Sequence, residues 1–215
     1  MRDIAAFHQE AIRALGRAAE EASAAAGPEE ALWAITGTLP KLLGDRDSHL
    51  QPGNLKQGEK QQFACCCFVV TPDGKSNLLV APVNFAPGQR HMKIDIELGH
   101  PGHVVKTRQP MLLANTDTHK SFVKILETFR AGSAVFAPLM WKGDALGVIV
   151  CAGQARNTMS EADLEVQVAF SHLAAAQWVA HQGPQYLRAL TSRPRSSANQ
   201  RRVNSFDAVG KPRTA

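Results

Sequence analysis

The apolar residues of this chain follow two kinds of pattern. In some segments they are continuous or alternate with polar residues, and in others they recur with helical spacing. The continuous runs are four to eight residues long, and the run at 91–96 alternates strictly between apolar and polar residues. Both patterns are typical of strands. The last two runs flank a Lys142-Gly143-Asp144 turn and predict a hairpin. We therefore predict six strands, at residues 63–70, 78–85, 91–96, 111–114, 134–141 and 145–152.

In other segments apolar residues recur every three or four positions, which predicts helices with one apolar face. Pro28 begins the second of them, with Glu29 and Glu30 in its first turn, where acids are favourable. Ser160 followed by Asp163 is a helix-start signal for the last long one. The predicted helices are 3–26, 28–43, 103–108, 118–130 and 160–180, with a further turn at 185–190.

Two irregular features interrupt this pattern. Residues 44–61 are polar and rich in Gly, Pro, Asn and Asp, and a loop of that length is unusual inside a compact domain. We interpret it either as a mobile loop or as a lid. Gly147 lies inside an apolar strand, where a missing side chain lets another backbone or a ligand approach closely.

The first helix has a narrow stripe of small residues. Ile4, Ala11, Ala18 and Ala25 repeat every seven positions, and alanines let helices approach closely while burying little area each. We interpret this stripe as an interface rather than a core face. Residues 1–27 are therefore predicted to form a dimerisation or interaction helix.

The net charge of +5 comes from the end of the chain. From Arg188 onward there are seven basic residues and one acid, which leaves residues 1–187 at about −1. A nearly neutral domain does not have the basic surface that nucleic-acid binding requires. We predict that 184–215 is a basic flexible tail, disordered in the residues after 190, with at most weak contact to RNA, DNA or an anionic membrane.

The composition indicates a cytoplasmic protein. No apolar run approaches the ~20 residues of a membrane span, and the acidic N-terminal segment is not a signal peptide. Three of the four cysteines are consecutive, unlike a secreted disulfide framework, so free thiols are expected. Adjacent cysteines on one strand do not have zinc-site spacing, and no metal site is predicted.

Three motifs in this order resemble the GAF domain, a relative of the PAS domain. They are Gly99–His103 with Val104 and Arg108-Gln109-Pro110, the hairpin with Pro138-Leu139, Gly143 and Leu146-Gly147-Val148-Ile149, and the helix start from Ser160 to Leu164. The resemblance covers about residues 28–182, and we assign 28–183 to the domain. It implies an α+β fold, a six-stranded antiparallel sheet with helices on both sides and a pocket between one sheet face and the helices that follow the early strands.

The resemblance also implies a function class and partners. GAF domains bind small molecules, and their flanking helices pair across a homodimer. Many sit in larger signalling proteins, whereas this sequence has no segment large enough for an output domain. We therefore expect a stand-alone sensor that binds an unidentified small effector and signals through its terminal helices or through a separate output protein.

Histidines and aromatic residues in the strands and in the region after the third strand are the candidates for the pocket. A neutral imidazole there could donate to an anion or ligate a metal, so haem is an alternative cofactor with less support. Apolar walls with a few orienting polar groups are typical of ligand pockets. The predicted ligand-binding residues are Phe63, Cys65, Cys67, His100, His103, His119, Phe122 and Phe136.

Two other functions stay open. Cys65 and Cys67 with Cys151 could form a thiol-dependent oxidoreductase, although buried cysteine commonly behaves as a small hydrophobe. The GAF-like enzymes that reduce free methionine sulfoxide have their thiols where this chain has His103, Asn115 and His119, which argues against that activity. Alternatively, the pocket is filled by side chains and the protein is an assembly subunit of a larger complex.

Overall fold

The computed structural model describes residues 2–192, and its core is one antiparallel sheet. The spatial order is β3-β2-β1-β6-β5-β4, so the first strand and the last strand pair at the centre. This confirms the predicted six-stranded α+β fold. The strands are β1 (Phe63–Val70), β2 (Ser76–Val83), β3 (Lys93–Asp95), β4 (Met111–Leu113), β5 (Ser133–Trp141) and β6 (Asp144–Gly153).

Helices precede, interrupt and follow the sheet. The capping signal of the last long helix is confirmed, because the Ser160 amide donates to Asp163 at 2.9 Å and the Asp163 amide donates back to Ser160 Oγ. Short 3₁₀ turns lie at Ser48–Leu50, Pro87–Gln89 and Thr116–Thr118. The α-helices are α1 (Ile4–Ser23), α2 (Pro28–Thr36), α3 (Leu39–Leu42), α4 (Gly99–Thr107), α5 (Glu161–Ala180) and α6 (Gly183–Ser192).

One face of the sheet carries most of the helices and the larger core. Strand residues Cys65, Cys67 and Cys151 pack there with the apolar sides of α1, α2, α5 and α6. Burying apolar area of this kind is the main favourable contribution to folding. Among residues 2–192, no helix combines the length and apolar character that crossing a bilayer requires.

The alanine stripe of α1 is part of this core, which corrects the interpretation of the stripe as an interface. Ala11, Ala18 and Ala22 are buried against α2 and α5 of the same chain. Their small side chains allow the helix axes to approach, so the stripe serves packing within the domain. Ile12 lies on the outer side of α1 and is 71% exposed, and Ile4, at the first position of the helix and of the stripe, is 47% exposed.

The opposite face of the sheet is covered differently. α4 packs on it together with residues 119–130, which contain no helix although 118–130 was predicted to be one. Phe122, Ile125 and Leu126 still turn toward the sheet, but from an irregular backbone. The prediction that these apolar side chains share one face is therefore correct, whereas the prediction that their backbone is helical is wrong.

Gly147 allows a close backbone approach, as its position in the strand predicted. A Cβ atom there would lie 2.1 Å from the carbonyl oxygen of Phe68 on β1. The central β1–β6 pair can therefore keep its spacing only with glycine at this position.

The segment 44–61 is attached to the loop after β6. Ser48 Oγ lies 2.7 Å from Thr158 Oγ1, and the Arg156 amide donates to the Asn54 carbonyl at 2.9 Å. Arg156 is 2% exposed and its guanidinium pairs with Glu59 and, at 3.0 Å, with Asp117. These contacts hold the segment at one end of the sheet. The predicted flexible tail, 184–215, is corrected at its start: residues 184–192 belong to α6, where Leu187 is buried and Tyr186 donates to Glu29. The rest of the predicted tail lies outside the described residues.

Candidate ligand-binding site

A small, partly open cavity lies between the sheet and its irregular cover. Its volume is about 60 Å³, and its walls come from β1, β5 and β6 below and from α4 and residues 122–126 above. The walls are almost entirely apolar. The lining residues are Ala64, Cys66, Phe68, Phe85, His100, Pro101, Phe122, Val123, Ile125, Leu126, Ala131, Ala134, Phe136, Val150 and Ala152.

A wider depression opens beside this inner cavity, at the start of α4. Its volume is about 440 Å³, which lies in the range of small-molecule sites. His100 lines both spaces and is the residue at which they meet. The depression is lined by Ile96, Glu97, Gly99, His100, His103, Lys106, Met111 and Ser121.

His100 is the central polar side chain of the site. It is only 8% exposed, and its ring lies 5.8 Å from the rings of Phe122 and Phe136 and 6.0 Å from the ring of His119. Burial, with a smaller contribution from the neighbouring His119 and His103, lowers the pKa of His100. The imidazole is therefore neutral near pH 7, and it makes no hydrogen bond to any of the described residues.

The structure brings together five of the eight predicted site residues. His100, Phe122 and Phe136 line the inner cavity, His103 lines the depression, and His119 packs edge-on against His100. Cys65, Cys67 and Phe63 are not among them. The two cysteines point into the helix-side core, and Phe63 packs beside Arg46, whose guanidinium carbon lies 4.1 Å from the ring centroid.

Cys66 lines the cavity, although Cys65 and Cys67 were predicted to do so. Successive side chains of a strand point to opposite faces, so Cys66 can line the cavity only if Cys65 and Cys67 do not. The alternation itself was readable in the sequence, whereas the face that carries the cavity was not. We therefore withdraw Cys65 and Cys67 from the proposed ligand site and include Cys66.

All four thiols are buried. Cys65 lies directly opposite Cys151 on the neighbouring strand, as the redox alternative requires, but both are buried. Burial raises the pKa of Cys65, Cys66 and Cys67 well above the usual value, so these thiols are protonated near neutral pH. Within residues 2–192 there is also no cluster of metal-ligating side chains.

Gln89 holds the irregular wall of the cavity through hydrogen bonds. The sequence analysis did not identify this residue. It is almost fully buried, and its Nε2 donates to the Ile125 carbonyl at 2.8 Å. Its Oε1 accepts from the Glu127 amide at 3.1 Å. One side chain thus satisfies two backbone groups of a segment that has no ladder of its own.

Glu29 is the second residue that the sequence did not single out. The carboxylate is buried and accepts from Arg90 at 3.0 Å, His91 at 2.9 Å and Tyr186 at 2.8 Å. It also accepts the Ala81 amide at 3.2 Å, which a β-bulge in β2 leaves without a strand partner. Burial alone would raise the pKa of Glu29, but these hydrogen bonds outweigh it and hold the pKa well below 4.5.

The comparison with known families gives one match. A model of the GAF domain matches residues 57–178, which include the sheet, the cavity and most of α5. No curated protein matches the sequence.

Solved structures with the same fold have little sequence identity to this chain. The GAF domain of a phosphoenolpyruvate-protein phosphotransferase from Coxiella burnetii has 18% identity and a TM-score of 0.64, with 82% of this chain and 96% of that chain covered. The free methionine-R-sulfoxide reductase from Neisseria meningitidis, solved with its substrate, has 12% identity and a TM-score of 0.64, with 86% and 95% covered. At such identities the likeness extends to the fold alone.

Proposed function

Because the chain belongs to the GAF domain family, we propose that it is a sensor or regulatory domain that binds a small effector beside His100. The observation that carries this proposal is the pairing of a small apolar cavity with a polar depression at one buried imidazole. A ligand placed there would bury its apolar part and orient its polar part, which is the usual division in small-molecule sites.

A continuous set of contacts supports signalling from the cavity to the C-terminal helix. Gln89 holds the cavity wall at Ile125, and the next two residues, Arg90 and His91, bind Glu29. Glu29 in turn accepts the hydroxyl of Tyr186 on α6. A ligand that moves the wall would therefore act on the segment that also anchors α6.

We propose residues 28–183 as the binding domain and the helices at both ends as the route to an output partner. α1, α5 and α6 lie on the face opposite the cavity, and the outer side of α1 exposes Ile12. Homodimer formation, if it uses α1, would involve this outer side, because the alanine stripe is already buried. Light scattering of the purified chain measures the oligomeric state directly.

A thermal-shift screen of nucleotides, small anions and metabolites, with an absorption spectrum for haem, tests the function. Ala134→Val adds volume inside the inner cavity, whereas Ala145→Val on β6 changes a half-buried site outside it. We expect a ligand that raises the melting temperature of the wild type and of Ala145→Val, and raises that of Ala134→Val much less. Equal shifts for all three proteins would place the ligand elsewhere and contradict the proposal.

The small inner cavity favours assembly as a second function. A volume of about 60 Å³ corresponds to about two water molecules, so side chains already fill most of this space. An assembly subunit would show no ligand-induced shift in the screen and would co-purify with a larger complex from its host. Recovery of the protein alone, with ligand-induced stabilisation, would argue against this alternative.

A further inference from the structure

We propose that the effector is a small organic carboxylate whose anionic group binds at the first turn of α4 and whose short apolar end enters the cavity lined by Phe68 and Phe136. This inference rests on the proposed function and specifies its ligand class. It is carried by two observations, an uncapped helix start and an imidazole that is more than nine-tenths buried, opens onto the depression and has no hydrogen-bond partner among residues 2–192.

The start of α4 lacks the side-chain cap that helices commonly have. Leu98 occupies the N-cap position and provides no side-chain acceptor. Within the described residues, the amides of Gly99 and His100 have no acceptor either, and both residues line the depression. Free amides and the positive end of a helix dipole attract anions.

The imidazole of His100 lies at the same place. More than nine-tenths of the residue is buried, it lines both spaces, and it donates to no side chain or carbonyl of the described residues. Its ring nitrogens are not among the fully buried polar atoms without a partner, so they open onto the solvent of the depression. A carboxylate oxygen at the depression would accept its N–H.

The charges around the depression favour a carboxylate over a phosphate. Lys106 and Glu97 both line the depression and pair with each other at its exposed rim, so their charges offset each other and the space has no net positive charge. His103 and His119 are the remaining titratable side chains that face His100. Phosphate sites typically use arginine forks or several lysines, whereas no arginine lines either space and Lys106 is the one lysine that does.

The inner cavity limits the size of the apolar end of the ligand. Its volume of about 60 Å³ has room for about two or three carbon atoms, and its walls near His100 are aromatic rings and the Cys66 thiol. Short aliphatic acids such as propionate and butyrate therefore match both parts of the site. Longer chains would require the 122–126 wall to move.

Matched acids and amides test this inference, because they share a shape and differ in charge. Propionate and butyrate, with propionamide and butyramide, are titrated into the full chain carrying labelled histidine, and binding is followed by calorimetry and by the imidazole NMR signals. We expect the acids to bind at least about tenfold more tightly than the amides, since charge-assisted hydrogen bonds are the stronger ones. The His100 signal should shift on binding.

His100→Phe keeps a ring of similar size and removes the donor, and His172→Phe on the exposed side of α5 is its control. We expect the first substitution to weaken acid binding about tenfold and the second to leave it unchanged. Equal binding of acids and amides, or unchanged acid binding by a folded His100→Phe protein, would overturn the carboxylate inference.

The outcomes also separate this inference from the proposed function. If neither acids nor amides bind but another compound stabilises the wild type and not Ala134→Val, the carboxylate inference fails and the sensor function stands. If no compound of either set binds, both fail.

Discussion

At the scale of single residues, burial decides the chemistry that each titratable group can perform. His100 is buried beside aromatic rings and stays neutral, so it serves as a hydrogen-bond donor rather than as a positive charge. Cys66 lies in the same cavity and stays protonated for the same reason. Glu29 is equally buried but ionised, because four donors surround it.

The burial of the thiols predicts low reactivity. In the native protein at pH 8 we expect no measurable reaction of the four cysteines with a disulfide reagent, because all four are buried out of its reach and burial also raises the pKa of Cys65, Cys66 and Cys67. In urea all four should react at once. Rapid reaction of a native thiol, lost in Cys65→Ser or Cys151→Ser, would restore the oxidoreductase alternative.

Glu29 should make stability depend on pH. Its folded pKa lies below its usual value of 4.5, so its contribution is present above that pH and is lost as the pH falls below it. We expect Glu29→Gln to lower the free energy of unfolding by about 2–3 kcal/mol at pH 7, because Arg90 loses its buried partner. Urea unfolding between pH 3 and pH 7 measures both effects.

The adjacent Glu30 provides the control for Glu29. It is exposed and accepts only the Ala26 amide, so Glu30→Gln should change the stability by less than about 1 kcal/mol. Equal losses for the two substitutions, or an unchanged pH dependence in Glu29→Gln, would contradict the role given to the buried carboxylate.

At the scale of elements, local signals identified most helices and strands but not their partners. The helix cap at Ser160 and the hairpin turn involve residues a few positions apart, and both were predicted. The segment 119–130 has helical spacing, yet Gln89 from another part of the chain supplies its backbone partners. Tertiary contacts of this kind override a local periodicity.

Two glycines in helices should respond oppositely to alanine. Gly16 lies on the open side of α1, where no other side chain comes within 4 Å of an added methyl carbon, so Gly16→Ala should stabilise the protein by about 0.5–1 kcal/mol. At Gly183 a Cβ would lie 2.2 Å from the Trp178 ring, so Gly183→Ala should cost about 1–3 kcal/mol by overpacking. Thermal unfolding distinguishes the two. Stabilisation by Gly183→Ala would mean that α6 does not pack on Trp178 as described.

At the scale of the whole molecule, the cavity and the C-terminal helix lie on opposite faces of the sheet and are joined around its edge. The path runs from the wall at Ile125 through Gln89, Arg90 and Glu29 to Tyr186. If the two ends are coupled, a change at one end must alter the stability of the other end.

Hydrogen exchange should detect this coupling. Tyr186→Phe removes the hydroxyl that Glu29 accepts, and we expect faster amide exchange in α6 and also in residues 122–127. Gln89→Ala should act in the opposite direction. We expect faster amide exchange mainly in residues 122–127, and also in α6. Arg188→Ala, on the exposed side of α6, is the control and should leave 122–127 unchanged. If each variant changes amide exchange only in the segment that contacts the substituted residue, the cavity wall and α6 are not coupled.

The sequence by itself determined the sheet, the order of its strands along the chain, the helix starts at Pro28 and Ser160 and the family, because periodicity and capping depend on residues that are neighbours in the chain. It also indicated the histidines and aromatic residues that surround the cavity. Only the tertiary structure decided which cysteine faces the ligand, which glutamate is buried and what the alanine stripe packs against. These depend on contacts such as Glu29 to Tyr186, 157 residues apart, whose pairing no local pattern contains.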